Sequence, residues 1–234
     1  MRMPTNPTTT LLREVRDEIR RSFRGGRVIV AVDGRDGAGK SELADGLAEA
    51  FDELDIAAFR ASADGFHRPR AERYARGLAS ADGFYRDSYD YETMRRVLID
   101  PFRDGAQTSA TTGFQLAAWD ADRDAPVESR WVTAPADAVL VIDGLFLLRP
   151  ELRGLWDFSV WLDVPVEQAF ARLAERRGIP ADPEAPANAR VHGGQELYES
   201  EAWPVAVASI IIDNVDPARP RRVSGPAHPR RDAS

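Results

Sequence analysis

Apolar residues along this chain follow two alternating rhythms. Helical spacing comes first, at Leu11, Leu12, Val15, Ile19 and Phe23, and predicts a helix over residues 11–23. A β-branched run, Arg27-Val-Ile-Val-Ala-Val-Asp33, follows and reads as a buried strand. Leu43, Leu47, Ala50 and Phe51 restore helical spacing over 41–51. The alternation continues with a strand over 56–62 and a helix over 91–102 that stops near Pro101. Strands follow over 138–143, the clearest of the set, and 158–164, then a helix opened by Pro165 and running to about 177, then a short strand over 208–213. Residues 114–119 and 127–132 are expected to pair as a hairpin across the turn-rich 120–124. Residues 1–10 read as a flexible arm, 178–186 as a proline-rich loop, and 217–234 as a disordered tail. Residues 11–216 are expected to form one domain built on a doubly wound, mainly parallel α/β sheet.

Between the first strand and the helix after it lies Gly34-Arg-Asp-Gly-Ala-Gly-Lys-Ser41, which fits the phosphate-binding pattern G-x-x-x-x-G-K-[ST]. Strand, glycine loop and helix form the context that gives this match its meaning. Gly34, Gly37 and Gly39 let the backbone curl, so that the loop they form with Arg35, Asp36 and Ala38 presents several N–H groups to one anion. The helix adds its positive N-terminal pole. Lys40 supplies a mobile cation for β- and γ-phosphates, and the Ser41 hydroxyl is a Mg²⁺ ligand. The loop predicts a bound nucleoside triphosphate and leaves the fate of the γ-phosphate open.

Composition narrows the choice. The net charge of −7 disfavours a nucleic-acid partner. No stretch approaches the ~20 apolar residues of a membrane span, and the N-terminus lacks the apolar core of a signal peptide. The absence of cysteine excludes disulfides and thiolate chemistry. These features fit a cytoplasmic enzyme.

Ligands of such sheets gather at the carboxyl ends of the strands. Asp33, Asp64 and Asp143 fall there. Transfer of a phosphoryl group to a hydroxyl asks for one carboxylate to take the acceptor's proton and another to help hold Mg²⁺. Asp64 and Asp143 suit these tasks; the plainer alternatives are a turn aspartate before Gly65 and a helix cap.

The chain resembles the uridine kinase and phosphoribulokinase family of small-molecule P-loop kinases. The matching pieces run in the family's order: Asp33-Gly-Arg-Asp-Gly-Ala-Gly-Lys-Ser41, Asp64-Gly-Phe-His67, Asp87-Ser-Tyr-Asp90, Val141-Ile-Asp-Gly-Leu-Phe-Leu-Leu148, Trp156-Asp-Phe-Ser-Val-Trp-Leu-Asp163 and Arg172-Leu-Ala-Glu-Arg-Arg177. The resemblance implies a three-layer P-loop NTPase fold with a small β-hairpin and a lid over about 166–190. It implies ATP and Mg²⁺ as cofactors and a small-molecule hydroxyl acceptor, with a nucleoside of uridine or cytidine type first. Asp64 is then the general base and shares the metal site with Ser41 and Asp143. Arg172 and Arg176 share a lid-helix face and clamp the migrating phosphate, with Arg177 beside the nucleotide; a solvated helix face is the alternative. The segment 190–198 resembles a post-lid segment, and 211–216 follows the last strand near the adenine. Family members are often homo-oligomers.

The chain also departs from the family. The aspartate that contacts the sugar in uridine kinases is replaced by Phe84, and the Tyr and His of the base-reading hairpin have Phe114 and Trp119 nearest their places. A site without these groups cannot reward the same contacts. The substrate candidates are His67, Arg68, Tyr85, Asp87 and Trp119. Tyr85 and Trp119 either stack on a base or belong to the core. Arg68, Arg70, Arg73 and Arg76 either greet an anionic acceptor or form a solvated helix face. Other acceptors remain open, among them pantothenate, a sugar phosphate and nicotinamide riboside, as does a non-catalytic nucleotide-binding module.

Overall fold

A computed structural model describes residues 2–105, 113–128 and 130–223. In chain order the elements are helix α1 (Pro7–Ser22), strand β1 (Val28–Gly34), α2 (Lys40–Asp52), β2 (Ala58–Ser62), and the short helices α3 (Arg70–Arg73), α4 (Ala81–Asp87), α5 (Tyr91–Met94) and α6 (Asp100–Asp104). They continue with a two-stranded ribbon, β3 (Trp119–Asp120) and β4 (Ala125–Pro126), then β5 (Val139–Asp143), β6 (Phe158–Asp163), α7 (Val166–Arg177), α8 (Ala189–Ala202), α9 (Pro204–Val207), β7 (Ile210–Asp213) and β8 (Arg221–Val223).

The main sheet has the order β2-β5-β1-β6-β7-β8. All its pairings are parallel except the last, between β7 and β8. Side chains alternate across a strand, so Val28, Val30 and Val32 join α1 and α2 on one face while Ile29 and Ala31 join the aromatic cluster on the other. With both faces covered, β1 is buried throughout, which is why it reads as a continuous apolar run. The result is a three-layer α/β fold with a doubly wound, mainly parallel sheet. Among the described residues no helix is long and apolar enough to cross a membrane.

Several elements differ from the sequence expectation. The arm is shorter, because α1 begins at Pro7: Asn6 and Thr9 exchange backbone-to-side-chain bonds of 2.9 Å as a capping box, with proline in the first turn. Residues ahead of it are tied down, since the Met3 amide donates to Glu53 at 2.7 Å. The helix expected to stop near Pro101 runs on, as α5, a π-helical turn over Arg95–Ile99, and α6, with the proline in the first turn of α6. The hairpin shrinks to two residue pairs plus one bridge, Phe114 to Val132. Asp120 folds the chain back on itself by accepting from the amides of Asp122 and Arg123, and Pro126 has no N–H to extend the ladder. The expected tail is ordered over Arg221–Val223, which adds an antiparallel edge strand; the rest, 224–234, lies outside the described residues. Helices α4 and α8 escaped the sequence reading. Gly194 lets them meet closely, since a Cβ there would press into the Phe84 ring and the Ala81 carbonyl.

Candidate active site

The phosphate-binding loop leaves β1 at Gly34 and enters α2 at Lys40. At Gly37 φ is +83°, and a side chain there would also drive into the Ala169 carbonyl of α7, so only glycine fits. Buried side chains hold the loop from behind. Asn214 donates to the Ala38 carbonyl at 2.7 Å, and Gln195 of α8 accepts from the Asp36 amide at 2.9 Å. Arg35 turns to the Val164 carbonyl and to Glu199 at 2.5 Å. Lys40 folds back to donate to the Arg35 carbonyl at 2.9 Å.

Sheet register sets the next part. Asp143 pairs with Val32 on β1 and with Ser62 on β2, so it stands level with the start of the loop. It is buried, accepts from the Ser41 hydroxyl at 2.7 Å, and meets Arg60 of β2 at 2.9 Å. Asp33, the other acid at the end of β1, is fully buried behind the loop and accepts from Tyr198, Leu148 and Gly34. Burial pushes its carboxyl up to about 6 against those bonds.

Asp64 lies on a 3₁₀ turn over Ala63–Phe66 whose first residue follows Ser62. The Tyr89 hydroxyl donates to it at 3.0 Å, and the His67 Nε2 stands 3.6 Å away. A carbonyl only accepts, so the His67 Nδ1, 2.9 Å from the Ser88 carbonyl, carries a proton. The His67 ring is stacked on Tyr89 at 4.5 Å. Shielding by the cleft walls pushes the Asp64 carboxyl upward, though 66% of its side chain stays open to solvent; the His67 bond and charge, Lys40 and Tyr89 outweigh this and hold it below the usual carboxylate range.

One cleft of about 220 Å³ gathers Lys40, Ser41, Asp64, His67 and Asp143 with Asp36, Gly37 and Gly39, and with Arg176 and Arg177 at the end of α7. A second cavity of about 360 Å³ shares the His67 wall and is bounded by Phe66, Pro69, Glu72, Asp90, Thr93, Ala118, Trp119 and Pro126.

Other expected residues lie elsewhere. Arg172 does not share the cleft with Arg176. It donates to the carbonyls of Asn214, Val215 and Gly37 and so ties α7 to the loop, because it lies one helical turn nearer the start of α7 than Arg176. Arg176 and Arg177 meet Asp36, at 3.6 and 2.7 Å. Tyr85 is buried against Phe146 and Tyr198, a core residue rather than a stacking platform. Asp87 pairs with Arg76 at 2.6 Å, outside both cavities. Arg68 bonds Glu72 and the Tyr89 carbonyl and lines neither cavity. Trp119 borders the second cavity only. The sequence reading missed Tyr89 and Arg60, which hold the two key carboxylates, and Glu42 and Leu145, which line the cleft beside Phe84, the residue at the expected sugar-contacting position. Only the Asp87-Ser-Tyr-Asp90 motif hinted at Tyr89.

Among the described residues no three His, Asp or Glu side chains converge to cage a metal unaided. Ser41 and Asp143 nevertheless offer hard oxygen donors side by side, and these suit Mg²⁺, which takes one or two protein ligands and completes its shell with phosphates and water.

No family profile and no curated protein sequence matches this chain. Solved structures do. A possible uridine kinase from Bacillus stearothermophilus superposes with a TM-score of 0.62 at 23% identity, covering 86% of this chain and 98% of that one. A candidate fructose transport system kinase from Silicibacter sp. TM1040 superposes with a TM-score of 0.65 at 26% identity, covering 82% and 95%. The fold is that of the uridine kinase-like P-loop kinases. Both neighbours are matched over nearly their whole length, so the helices that cap the sheet, and not the loop alone, belong to the shared architecture.

Proposed function

We propose that this protein transfers the γ-phosphate of ATP to a hydroxyl of a small uncharged molecule, with a nucleoside of uridine or cytidine type as the first reading. The observation that carries this is the meeting of Lys40, Ser41 and Asp143 with Asp64 in one cleft. The loop amides and Lys40 bind the phosphates. Ser41 and Asp143 hold Mg²⁺, which draws charge from the phosphate oxygens when bound. Asp64 accepts the acceptor's proton as the hydroxyl attacks; its depressed pKa keeps it ionised for that task. Tyr89 and His67 aim the carboxylate. Such chemistry belongs where ATP is plentiful, in the cytoplasm.

The disposition of the arginines favours an uncharged acceptor. Arg73 reaches the Ala121 carbonyl and stands 3.5 Å from Asp124, and Arg76 pairs with Asp82 and Asp87. Arg68 is engaged as well. Among the described residues the second cavity is bordered by Glu72 and Asp90 and by no lysine or arginine. Carboxylates there repel a sugar phosphate or pantothenate. Trp119 offers a ring for the apolar face of a base or sugar. A sugar acceptor is the second reading, favoured by the 26% identity to the Silicibacter kinase.

The test is Mg²⁺-dependent ATP consumption with uridine, cytidine, other nucleosides, fructose, pantothenate and a sugar phosphate. Turnover with a neutral acceptor supports the reading. Turnover with only the anionic ones contradicts it.

A further inference from the structure

A phosphate-binding loop serves anions, yet this one carries a carboxylate at its third position. Asp36 lines the cleft with its side chain 12% exposed, and its partners are the two lid arginines, Arg177 at 2.7 Å and Arg176 at 3.6 Å. Among the described residues it is the one acid paired with either of them. Both arginines sit in the last turn of α7, half exposed, just before Gly178 ends the helix in the left-handed region.

The surroundings decide what can move. The Asp36 amide is fixed by Gln195, and the neighbouring Arg35 by Glu199 and the Val164 carbonyl. The first half of α7 is pressed onto the loop at Gly37, and Arg172 ties it to the carbonyls after β7. The backbone of the loop and the root of the lid helix are therefore one body, and the side chains of Arg176 and Arg177 are the parts left to respond. Beside Asp36 their charge is used internally. A triphosphate arriving on the loop brings several negative oxygens and bidentate partners, and it outbids a single carboxylate for the same guanidinium groups.

We propose that Asp36 is a positioning residue that holds Arg176 and Arg177 at the mouth of the phosphate loop and yields them to the nucleotide, so that it weakens nucleotide retention by direct competition. This rests on the loop being the nucleotide site. The arginines are kept near their point of use, which lowers the ordering cost of recruiting them, while each must be withdrawn from the carboxylate before it can meet a phosphate. If these arginines clamp the migrating phosphate, as the family resemblance implies, the competition bears more on ATP than on ADP.

The test measures ATP and ADP dissociation constants, by calorimetry with Mg²⁺ present, for the full chain and for Asp36→Asn, which keeps shape and removes charge. Asp36→Asn is expected to tighten ATP about tenfold and ADP less, and to lower KM for ATP more than it changes kcat. The gain should vanish when Asp36→Asn is added to the Arg176→Gln, Arg177→Gln double variant and compared with that double variant, since no competed partner remains. Thermal midpoints separate a merely structural role. Weaker or equal ATP binding in Asp36→Asn, with or without a lowered midpoint, overturns the proposal. So does an equal gain when Asp36→Asn is added to the double arginine variant. If the unmodified protein fails to bind ATP, the nucleotide-site reading itself falls, and that outcome is visible before any variant is made.

Discussion

The Ser41 hydroxyl donates to Asp143 at 2.7 Å and so joins the first turn of α2 to the end of β5. On its other side Asp143 meets Arg60 at 2.9 Å, and Arg60 continues to Asp45 at 2.7 Å. Asp143 is 2% exposed, so Arg60 is the cation that makes its charge tolerable. Arg60→Met should cost about 3 kcal/mol, read as a lower urea midpoint at unchanged slope. Asp45→Asn, at the exposed end of the chain, should cost under about 1 kcal/mol. Equal effects from the two would contradict this account.

The environment of Asp64 predicts a pH profile. A base must be ionised, and Asp64 is held below the usual carboxylate range by His67, Lys40 and Tyr89, which together outweigh the upward push of its partial shielding in the cleft. The acid limb of kcat/KM should therefore lie below ordinary carboxylate values. Tyr89→Phe removes a donor to the charged form, raises the Asp64 pKa and moves that limb to higher pH. A limb that stays put, or moves down, would count against Tyr89 as the residue that tunes Asp64.

Asp33 predicts the pH dependence of stability. Its carboxyl is raised to about 6 by burial, while the unfolded chain ionises near the ordinary value of 3.8. Between these values the folded state binds the extra proton, so stability falls as pH rises from about 4 to about 6, by roughly 3 kcal/mol from this group. Asp33→Asn should flatten that slope whatever it does to absolute stability. Glu53 works in the opposite sense at lower pH. Its carboxyl is pulled down to about 2, chiefly by the Arg13 hydrogen bond, so the stability it contributes is present above about 4.5 and is lost as pH falls toward 2. Denaturant titrations at pH 3, 4, 5, 6 and 7 would resolve both, and a slope unchanged by Asp33→Asn would contradict the first.

What the sequence shows and what it hides follow from the range of the interactions. The strand, loop and helix around Gly34 to Phe51 are local, and the apolar rhythm and glycine spacing specify them directly. The acids at the ends of β1 and β5 and the turn acid after β2 were legible because parallel strands end together. Helix α8 was not, because its apolar positions form no stripe; it is held by Tyr198 on Asp33, Gln195 on the loop and Gly194 against α4. The partition of the α7 arginines was hidden for the same reason. Helical spacing put Arg172 and Arg176 on one face, while the approach of the chain after β7 claimed Arg172 through backbone carbonyls that no side-chain pattern encodes.

The most direct measurement compares the unmodified protein with Asp64→Asn at saturating ATP, Mg²⁺ and the best acceptor from the panel, scoring nucleotide binding and phosphorylated product separately. The account predicts that Asp64→Asn binds ATP as tightly as the unmodified protein and loses turnover by about 10²- to 10⁴-fold. Full turnover in that variant would show that Asp64 does not take the acceptor's proton and would contradict the assignment of this cleft as the phosphotransfer site.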